Sequence, residues 1–214
     1  MPTQEEQQQI TALVRRFEAE TGVQAVAAVT QRADAYPDIP WKAYAMGSAL
    51  GAIVAALDVF TISGWSHASV IALDAMLILA GGVLFTVLAS FVPPVARLFL
   101  DRVRAHAECL QYAQGVFLDH ECFCTHDRCA VLVVMCRFER IGVILADSGL
   151  AQYAPREALS DIGAETGRMI GSDGVVAAFD SALTRVKELL ARNDFKASAP
   201  GRNELPDEVI MEKP

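Results

Sequence analysis

Two long apolar stretches dominate the hydropathy pattern of this chain. The first occupies positions 43–62 (AYAMGSALGAIVAALDVFTI) and the second positions 68–92 (ASVIALDAMLILAGGVLFTVLASFV). Each is about as long as the roughly 20 apolar residues that a helix needs to cross a bilayer. The connector between them is short, so the two helices must run antiparallel. The pattern therefore predicts a transmembrane hairpin at 41–93 that contacts the lipid bilayer.

The charges that flank the hairpin predict its orientation. Arg32 and Lys42 precede the first apolar stretch, Arg97, Arg102 and Arg104 follow the second, and the connector contains no Lys or Arg. Cationic loops remain in the cytoplasm, so both termini are expected there. The five cysteines, an odd number, also fit a reducing compartment better than a secreted disulfide framework.

Small residues on the first apolar helix predict a close helix–helix contact. Gly47 and Gly51 form a G-x-x-x-G, the spacing that lets two helix backbones approach each other in a membrane. The simplest partner is the second helix of the hairpin. The alternative is the same helix of a second copy, which would make the protein a homo-oligomer.

The segments around the hairpin alternate between helix and strand patterns. An amphipathic helix begins with a capping box at Thr3 and Glu6 and ends at Gly22, and an apolar strand follows it. After the hairpin come a helix, two apolar strands at 130–136 and 140–147, and two more helices. This order predicts an α/β domain in which a small sheet is flanked by helices and interrupted by the hairpin.

The domain organisation that follows has four parts. Residues 1–38 and 94–197 form the two pieces of the α/β domain, 41–93 form the hairpin, and 198–214 form an acidic tail that is either solvated or packs back on the domain. In the first helix after the hairpin, helical spacing places one set of apolar residues on a single face, which we expect to be buried. These are Phe99, Val103, Ala107, Leu110, Ala113 and Phe117.

Charge and motif content exclude several classes of function. The formal net charge is −8 and Lys and Arg do not cluster, so a nucleic-acid partner is not expected. The sequence contains no G-x-G-x-x-G, P-loop, G-x-S-x-G or H-E-x-x-H motif.

Several phrases resemble, in the same order, the TPM-domain family, and more closely its bacterial membrane branch, in which two transmembrane helices interrupt the domain. They are ETGVQAVAAVT, CTHDRCAVLVV, RFERIGVILADSGL and GRNELPDEVI. The resemblance implies a Rossmann-like α/β fold without a dinucleotide motif, located in the bacterial inner membrane. It also implies functions linked to relatives, namely weak acid phosphatase activity, divalent-cation binding, and assembly or repair of membrane complexes.

A loop rich in metal-ligating residues, HECFCTHDRC, lies at 120–129. Cys122, Cys124, His126 and Cys129 supply four possible zinc ligands, although zinc sites are usually built from two separated ligand pairs. Cys122 and Arg128 also match C-x5-R by spacing. That phosphate-binding loop leaves a strand and enters a helix, whereas here the predicted order is helix then strand. We therefore interpret this segment as a turn with buried or free thiols.

Three acids form a second candidate site, for a hard cation such as Ca²⁺ or Mg²⁺. Asp147 ends a predicted strand, Asp127 precedes the neighbouring strand, and Asp161 lies early in the next helix. Ligands in open α/β sheets gather beyond the carboxyl ends of strands, and hard cations need several oxygens. The alternative, which we favour, is that Asp147 ends its strand and accepts backbone N–H bonds.

The absence of catalytic motifs favours a non-enzymatic, membrane-anchored module that helps to assemble a membrane complex and binds a membrane protein. The alternative is a weak divalent-metal-dependent phosphatase that acts through Asp147 and the neighbouring acids.

Overall fold

The structure is a computed structural model that describes residues 2–61, 68–125, 127–196, 205 and 209–211. It has a mixed α/β fold. In chain order the elements are α1 (Gln4–Thr21), β1 (Gln24–Thr30), α2 (Asp38–Thr61), α3 (Ala68–Phe91), α4 (Pro93–Leu98), α5 (Arg102–Asp119), β2 (Ala130–Cys136), β3 (Ile141–Ala146), a 3₁₀ turn (Ser148–Leu150), α6 (Arg156–Met169) and α7 (Gly174–Arg192).

The chain divides into two compact units. The α/β unit consists of Met1–Asp34 and Arg102–Pro214, and the helical unit consists of Ala35–Asp101. The residue pattern predicted an insertion at 41–93, and the compact helical unit spans Ala35–Asp101. Helix α4, which the sequence analysis assigned to the α/β domain, packs against α2 and α3 instead.

The sheet of the α/β unit has three strands in the order β1-β2-β3. Strand β1 pairs with β2 in parallel, with Gln24 opposite Ala130, and β2 pairs with β3 antiparallel, with Cys136 opposite Ile141. Strands β1 and β2 are buried along their whole length because helices cover both faces. This explains why both strands are continuous apolar runs instead of alternating ones.

Each face of the sheet has its own apolar core. On the first face, α1, α6 and α7 pack on alternate residues of β1 and β2, and Phe179 of α7 is fully buried there. On the second face, α5 packs on the intervening residues, together with Leu205 and Ile210 of the tail. The order of elements and the burial of α1 agree with the prediction, and the structure confirms a mixed α/β fold with a small sheet covered by helices.

The predicted cap of α1 is also confirmed. Thr3 accepts a hydrogen bond from the Glu6 N–H at 3.2 Å, the Glu6 carboxylate accepts one from the Thr3 N–H at 2.7 Å, and Gly22 ends the helix with φ 70°. A left-handed φ is one that glycine adopts without strain, so the residue type and the helix end agree.

The helix after the hairpin differs from the prediction. It is two helices, α4 and α5, and the predicted face of α5 is confirmed only in part. Leu110 and Phe117 are partly buried against the core as predicted, whereas Val103 is 81% exposed. The fully buried residues of α5 are Ala105, Cys109, Ala113 and Val116, of which Ala113 was predicted. Three of these four side chains are small, which lets the helix lie close to the sheet. The prediction erred at Val103 and Ala107, which continue the apolar spacing but lie away from the contact.

The described part of the acidic tail packs back on the sheet. Ile210 pairs with the free side of β1 through two backbone hydrogen bonds of 2.9 Å, one with Val29 and one with Ala27. The Leu205 N–H donates to the Gln24 side chain at 3.2 Å. Of the two readings of the tail, the structure supports the one in which it contacts the domain.

In the helical unit, α2 and α3 pack against each other through glycines. A Cβ atom added to Gly51 would lie 2.9 Å from the Ile78 Cα, and one added to Gly81 would lie 2.6 Å from the Gly47 carbonyl oxygen. The G-x-x-x-G of α2 therefore faces α3, as the simpler of the two expectations had it.

The sequence predicted two membrane-spanning helices, and the structure contains one candidate. Among the residues that the structure describes, Val70–Phe91 is the one helix long and apolar enough to cross a membrane, with a mean hydropathy of 2.3 and only 6% of its most apolar part buried. Helix α2 carries Asp38, Lys42 and Asp58, and over its described residues it is not apolar enough to count as a second candidate.

Candidate functional site

A groove of about 610 Å³ runs along the outer edge of β3 in the α/β unit. Five consecutive residues of β3, Gly142–Ala146, form its floor. Helix α5 lines one side with Leu110, Gln114 and Phe117, and α6 lines the other with Leu159 and Ser160. Since β3 is an edge strand of the described sheet, this groove gives access to its main chain.

The hydrogen-bond pattern of the sheet shows which main-chain groups face the groove. The Asp147 N–H donates to the Ala130 carbonyl at 2.9 Å, so Asp147 and Ala130 are a hydrogen-bonded pair. Antiparallel pairing alternates from residue to residue. The N–H and C=O groups of Ile144 and Ala146 therefore point away from β2 and toward the groove.

Asp147 lies at one end of the groove, and its carboxylate is already engaged. Arg128 donates two hydrogen bonds, from Nε to Oδ2 at 2.8 Å and from Nη2 to Oδ1 at 3.0 Å, and the Ser148 N–H donates to Oδ1 at 2.6 Å. The Asp147 side chain is 4% exposed and that of Arg128 is 51% exposed. Asp147 thus caps the turn after β3, as in the reading that we favoured.

The other two predicted ligands of a hard cation do not join Asp147 in a ligand cluster. Asp127 belongs to the loop before β2, where its carbonyl oxygen packs near Gly149, and Asp161 is exposed on α6. Within the described ranges, three His, Cys, Asp or Glu side chains do bring their ligand atoms together, but at another place in the fold and without these acids. The hard-cation site stays a prediction, and it requires Asp147 to exchange Arg128 for the ion.

The loop at 120–129 does not gather its described cysteines. Cys122 is buried with the core on the α5 face, Cys129 packs against the core on the opposite face, and Cys124 is exposed. The fourth predicted zinc ligand, His126, lies outside the described residues. Since Cys122 and Cys129 pack on opposite faces of the sheet, a zinc ion bound by both would require the loop to rearrange.

The phosphate-loop interpretation of this segment is also disfavoured by geometry. The loop leaves helix α5 and enters strand β2, as predicted. Burial, reinforced by the nearby Asp147 charge, raises the pKa of Cys122 to about 11. A nucleophilic cysteine needs the opposite shift, because the thiolate is the reactive form. Arg128 is also already paired with Asp147.

A different cluster, which the sequence analysis did not find, lies inside the core on the α5 face. It consists of Cys109 on α5, Cys136 at the end of β2, and Glu139 in the turn between β2 and β3. One ligand atom from each lies within 4.8 Å of the other two. All three residues are at most 1% exposed. The residues are distant in sequence, so only the spacing Cys136-x-x-Glu139 hinted at the site.

Comparison with known proteins adds evidence on the fold alone. No family model and no curated protein matches the chain. Among solved structures, the fold is similar to that in the NMR structure of the BA42 protein from the psychrophilic bacterium Bizionia argentinensis, with a TM-score of 0.54 and 12% sequence identity. The match covers 98% of this chain and 94% of that one. The chain thus shares an α/β fold with that protein.

Proposed function

We propose that this protein is a membrane-anchored interaction module, in which the α2–α3 pair inserts into a bilayer and the α/β unit binds a segment of a membrane protein. The observation that carries the proposal is the outward face of the helix pair. Leu73, Met76 and Phe91 of α3 are 65–80% exposed, and Ile53 and Leu57 of α2 are more than half exposed.

Contact of such a surface with water is energetically unfavourable. Soluble proteins rarely expose contiguous apolar patches, and each apolar side chain moved from water into lipid contributes about 1.5–3 kcal/mol. The glycine contact that joins α2 to α3 is the kind that helices use in lipid, where close packing replaces the hydrophobic effect. Together with the flanking cations, this supports a two-span anchor in the bacterial inner membrane with both termini in the cytoplasm.

The groove along β3 supports a binding role for the α/β unit. We infer that its occupant is an extended peptide segment that pairs with Ile144 and Ala146 and places apolar side chains against Leu110 and Phe117. The same sheet already accepts an extended segment in this way, because Ile210 of the tail pairs with β1 at the opposite edge.

Membrane insertion is tested by fractionation of cells that express the full-length chain. Carbonate-washed membranes should retain the protein, and protease added to the outside of spheroplasts should leave both termini intact. A protein that is released by carbonate without detergent, or one with its termini on opposite sides, would refute the anchor.

Peptide binding is tested with two tryptophan substitutions at exposed positions of α5. Gln114 lines the groove, whereas Gln111, also exposed, does not. A photo-crosslinker at position 114 should form an adduct that maps to one extended segment of a membrane protein, and Gln114→Trp should abolish the native complex that carries it. Gln111→Trp should leave the complex intact. Equal effects of the two substitutions would contradict groove binding.

The alternative function, a divalent-metal-dependent phosphatase that uses Asp147, makes a separate prediction. Purified protein would hydrolyse a generic phosphate ester only with Mg²⁺ or Ca²⁺, Asp147→Ala would lose this turnover, and Cys122→Ala would keep it. The engagement of Asp147 by Arg128 favours the interaction module over this alternative.

A further inference from the structure

We propose that Cys109, Cys136 and Glu139 form a binding site for a thiophilic divalent metal ion, with Zn²⁺ as the ion that suits this ligand set best. The site is independent of the groove and of the membrane anchor. It lies within the α/β unit, between α5 and the end of β2 where the chain turns into β3.

The ligand spacing is close to what zinc needs. Zn–S bonds of about 2.3 Å imply a separation of about 3.8 Å between two thiolate sulfurs in a tetrahedral site. The three ligand atoms already lie within 4.8 Å of one another. Closing the site around an ion requires shortening the longest of these separations by at most about 1 Å.

The ligands are held by independent parts of the fold. Cys109 is fixed by the packing of α5 on the sheet, and Cys136 is fixed by its pairing with Thr30 of β1. The Ala33 N–H donates to Oε1 of Glu139 at 2.9 Å, which orients the carboxylate. A hydrogen bond of this kind from a neighbouring group is how metal-binding carboxylates are usually positioned.

The chemistry of the ligand set selects the class of ion. Two sulfur ligands favour zinc and other thiophilic metals over Mg²⁺ and Ca²⁺, which prefer oxygen. Binding displaces one proton from each thiol to solvent, so the ion, two thiolates and one carboxylate carry a net charge of −1. Arg32, whose guanidinium lies 4.1 Å from the Phe138 ring centroid, adds a positive charge beside the same turn. Water can complete the fourth position.

The surroundings of Cys136 affect its thiol. The hydrogen bond to Cys109, together with burial, raises the pKa of Cys136 well above its usual value. Metal uptake must therefore compete with protons and strengthen as the pH rises.

The test uses the full-length protein, purified in detergent under reducing conditions and stripped with a chelator. The protein should bind one Zn²⁺ ion per chain. Alkylation in partly unfolding urea, followed by peptide mapping, should show that Zn²⁺ protects Cys109 and Cys136 from the alkylating reagent. Mg²⁺ should protect neither. Co²⁺ should give the thiolate charge-transfer band of a site with two sulfur ligands.

Variants assign the site to these residues. Glu139→Gln preserves side-chain shape and should weaken Zn²⁺ binding by at least roughly 10-fold, the lower range for disturbed metal shells. The Cys109→Ala/Cys136→Ala double variant should lose the Co²⁺ band. Cys122→Ala, equally buried on the same face of the sheet, is the matched control and should keep it.

Three results would overturn the proposal. The first is a wild-type protein that takes up no Zn²⁺, and the second is protection that maps to Cys122, Cys124 and Cys129 instead. The third is a Cys109–Cys136 disulfide that persists under the reducing conditions and excludes the metal. The wild-type mapping does not depend on any variant, so it is decisive even if the double variant fails to fold.

Discussion

Helix α6 lies so close to strand β3 that an added methyl group at Gly163 would collide with the strand. A Cβ atom at this position would be 2.5 Å from the Gly142 carbonyl oxygen and 3.2 Å from its carbonyl carbon. These are main-chain atoms of a strand that is paired with β2, so they cannot rotate away as the end of a side chain can. We therefore predict that Gly163→Ala destabilises the α/β unit.

The magnitude follows from two opposing effects. Replacing glycine by alanine inside a helix contributes about 1 kcal/mol of stability. Overpacking a tight contact costs about 1–3 kcal/mol, and the rigid main chain at Gly163 places this site at the upper end. The net loss is then about 2 kcal/mol. For a protein of this size it lowers the unfolding midpoint by about 4–8 °C.

Gly115 provides the matched control. It lies inside α5, and a Cβ atom added there meets no other atom within 4 Å. Gly115→Ala should therefore show only the helix effect and raise the unfolding midpoint by about 2–4 °C.

The assay is thermal unfolding of the full-length protein in detergent, followed by circular dichroism. Hydrogen exchange of the β2 amides then shows that the measured transition includes the α/β unit. If Gly163→Ala were as stable as the wild-type protein while Gly115→Ala gained stability, the close packing of α6 on β3 would be refuted.

Three further predictions concern the ends of elements and the loop before β2. Thr3→Ala removes the capping box and should cost about 1 kcal/mol in chemical denaturation, whereas an unchanged midpoint would place the start of α1 elsewhere. Arg128→Ala leaves the buried Asp147 carboxylate with its turn hydrogen bond and should lower the free energy of unfolding by about 1–3 kcal/mol. The loss is smaller than for a fully buried pair because Arg128 is half exposed. A double-mutant cycle with Asp147→Asn measures the coupling, and a coupling near zero would argue against the pair. Cys122 should be alkylated much more slowly than the exposed Cys124 at pH 8, and equal alkylation rates would contradict its burial. Because the pKa of Cys122 is raised in the folded state, its contribution to stability should be intact below pH 9 and decline toward about pH 11.

Local patterns in the sequence determined much of the architecture. The capping box at Thr3, the glycine that ends α1, and the apolar runs that became β1 and β2 depend on neighbours a few residues away. Hydropathy determined the helix pair for the same reason, and Gly47 and Gly51 indicated its contact. Such features are readable because the interactions that stabilise them are short in sequence.

The tertiary structure decided what the sites are made of. The buried face of α5 depends on how closely a helix with small side chains can approach a sheet, which periodicity alone does not measure. The sequence left Asp147 as a strand-end acceptor or a cation ligand, and the fold added the Arg128 pair that the sequence did not indicate. Cys109, Cys136 and Glu139 come from a helix, a strand and a turn, and only the packing of α5 on the sheet brings them together. Their chemistry depends on distances across the core, and a linear sequence specifies those distances only through the fold.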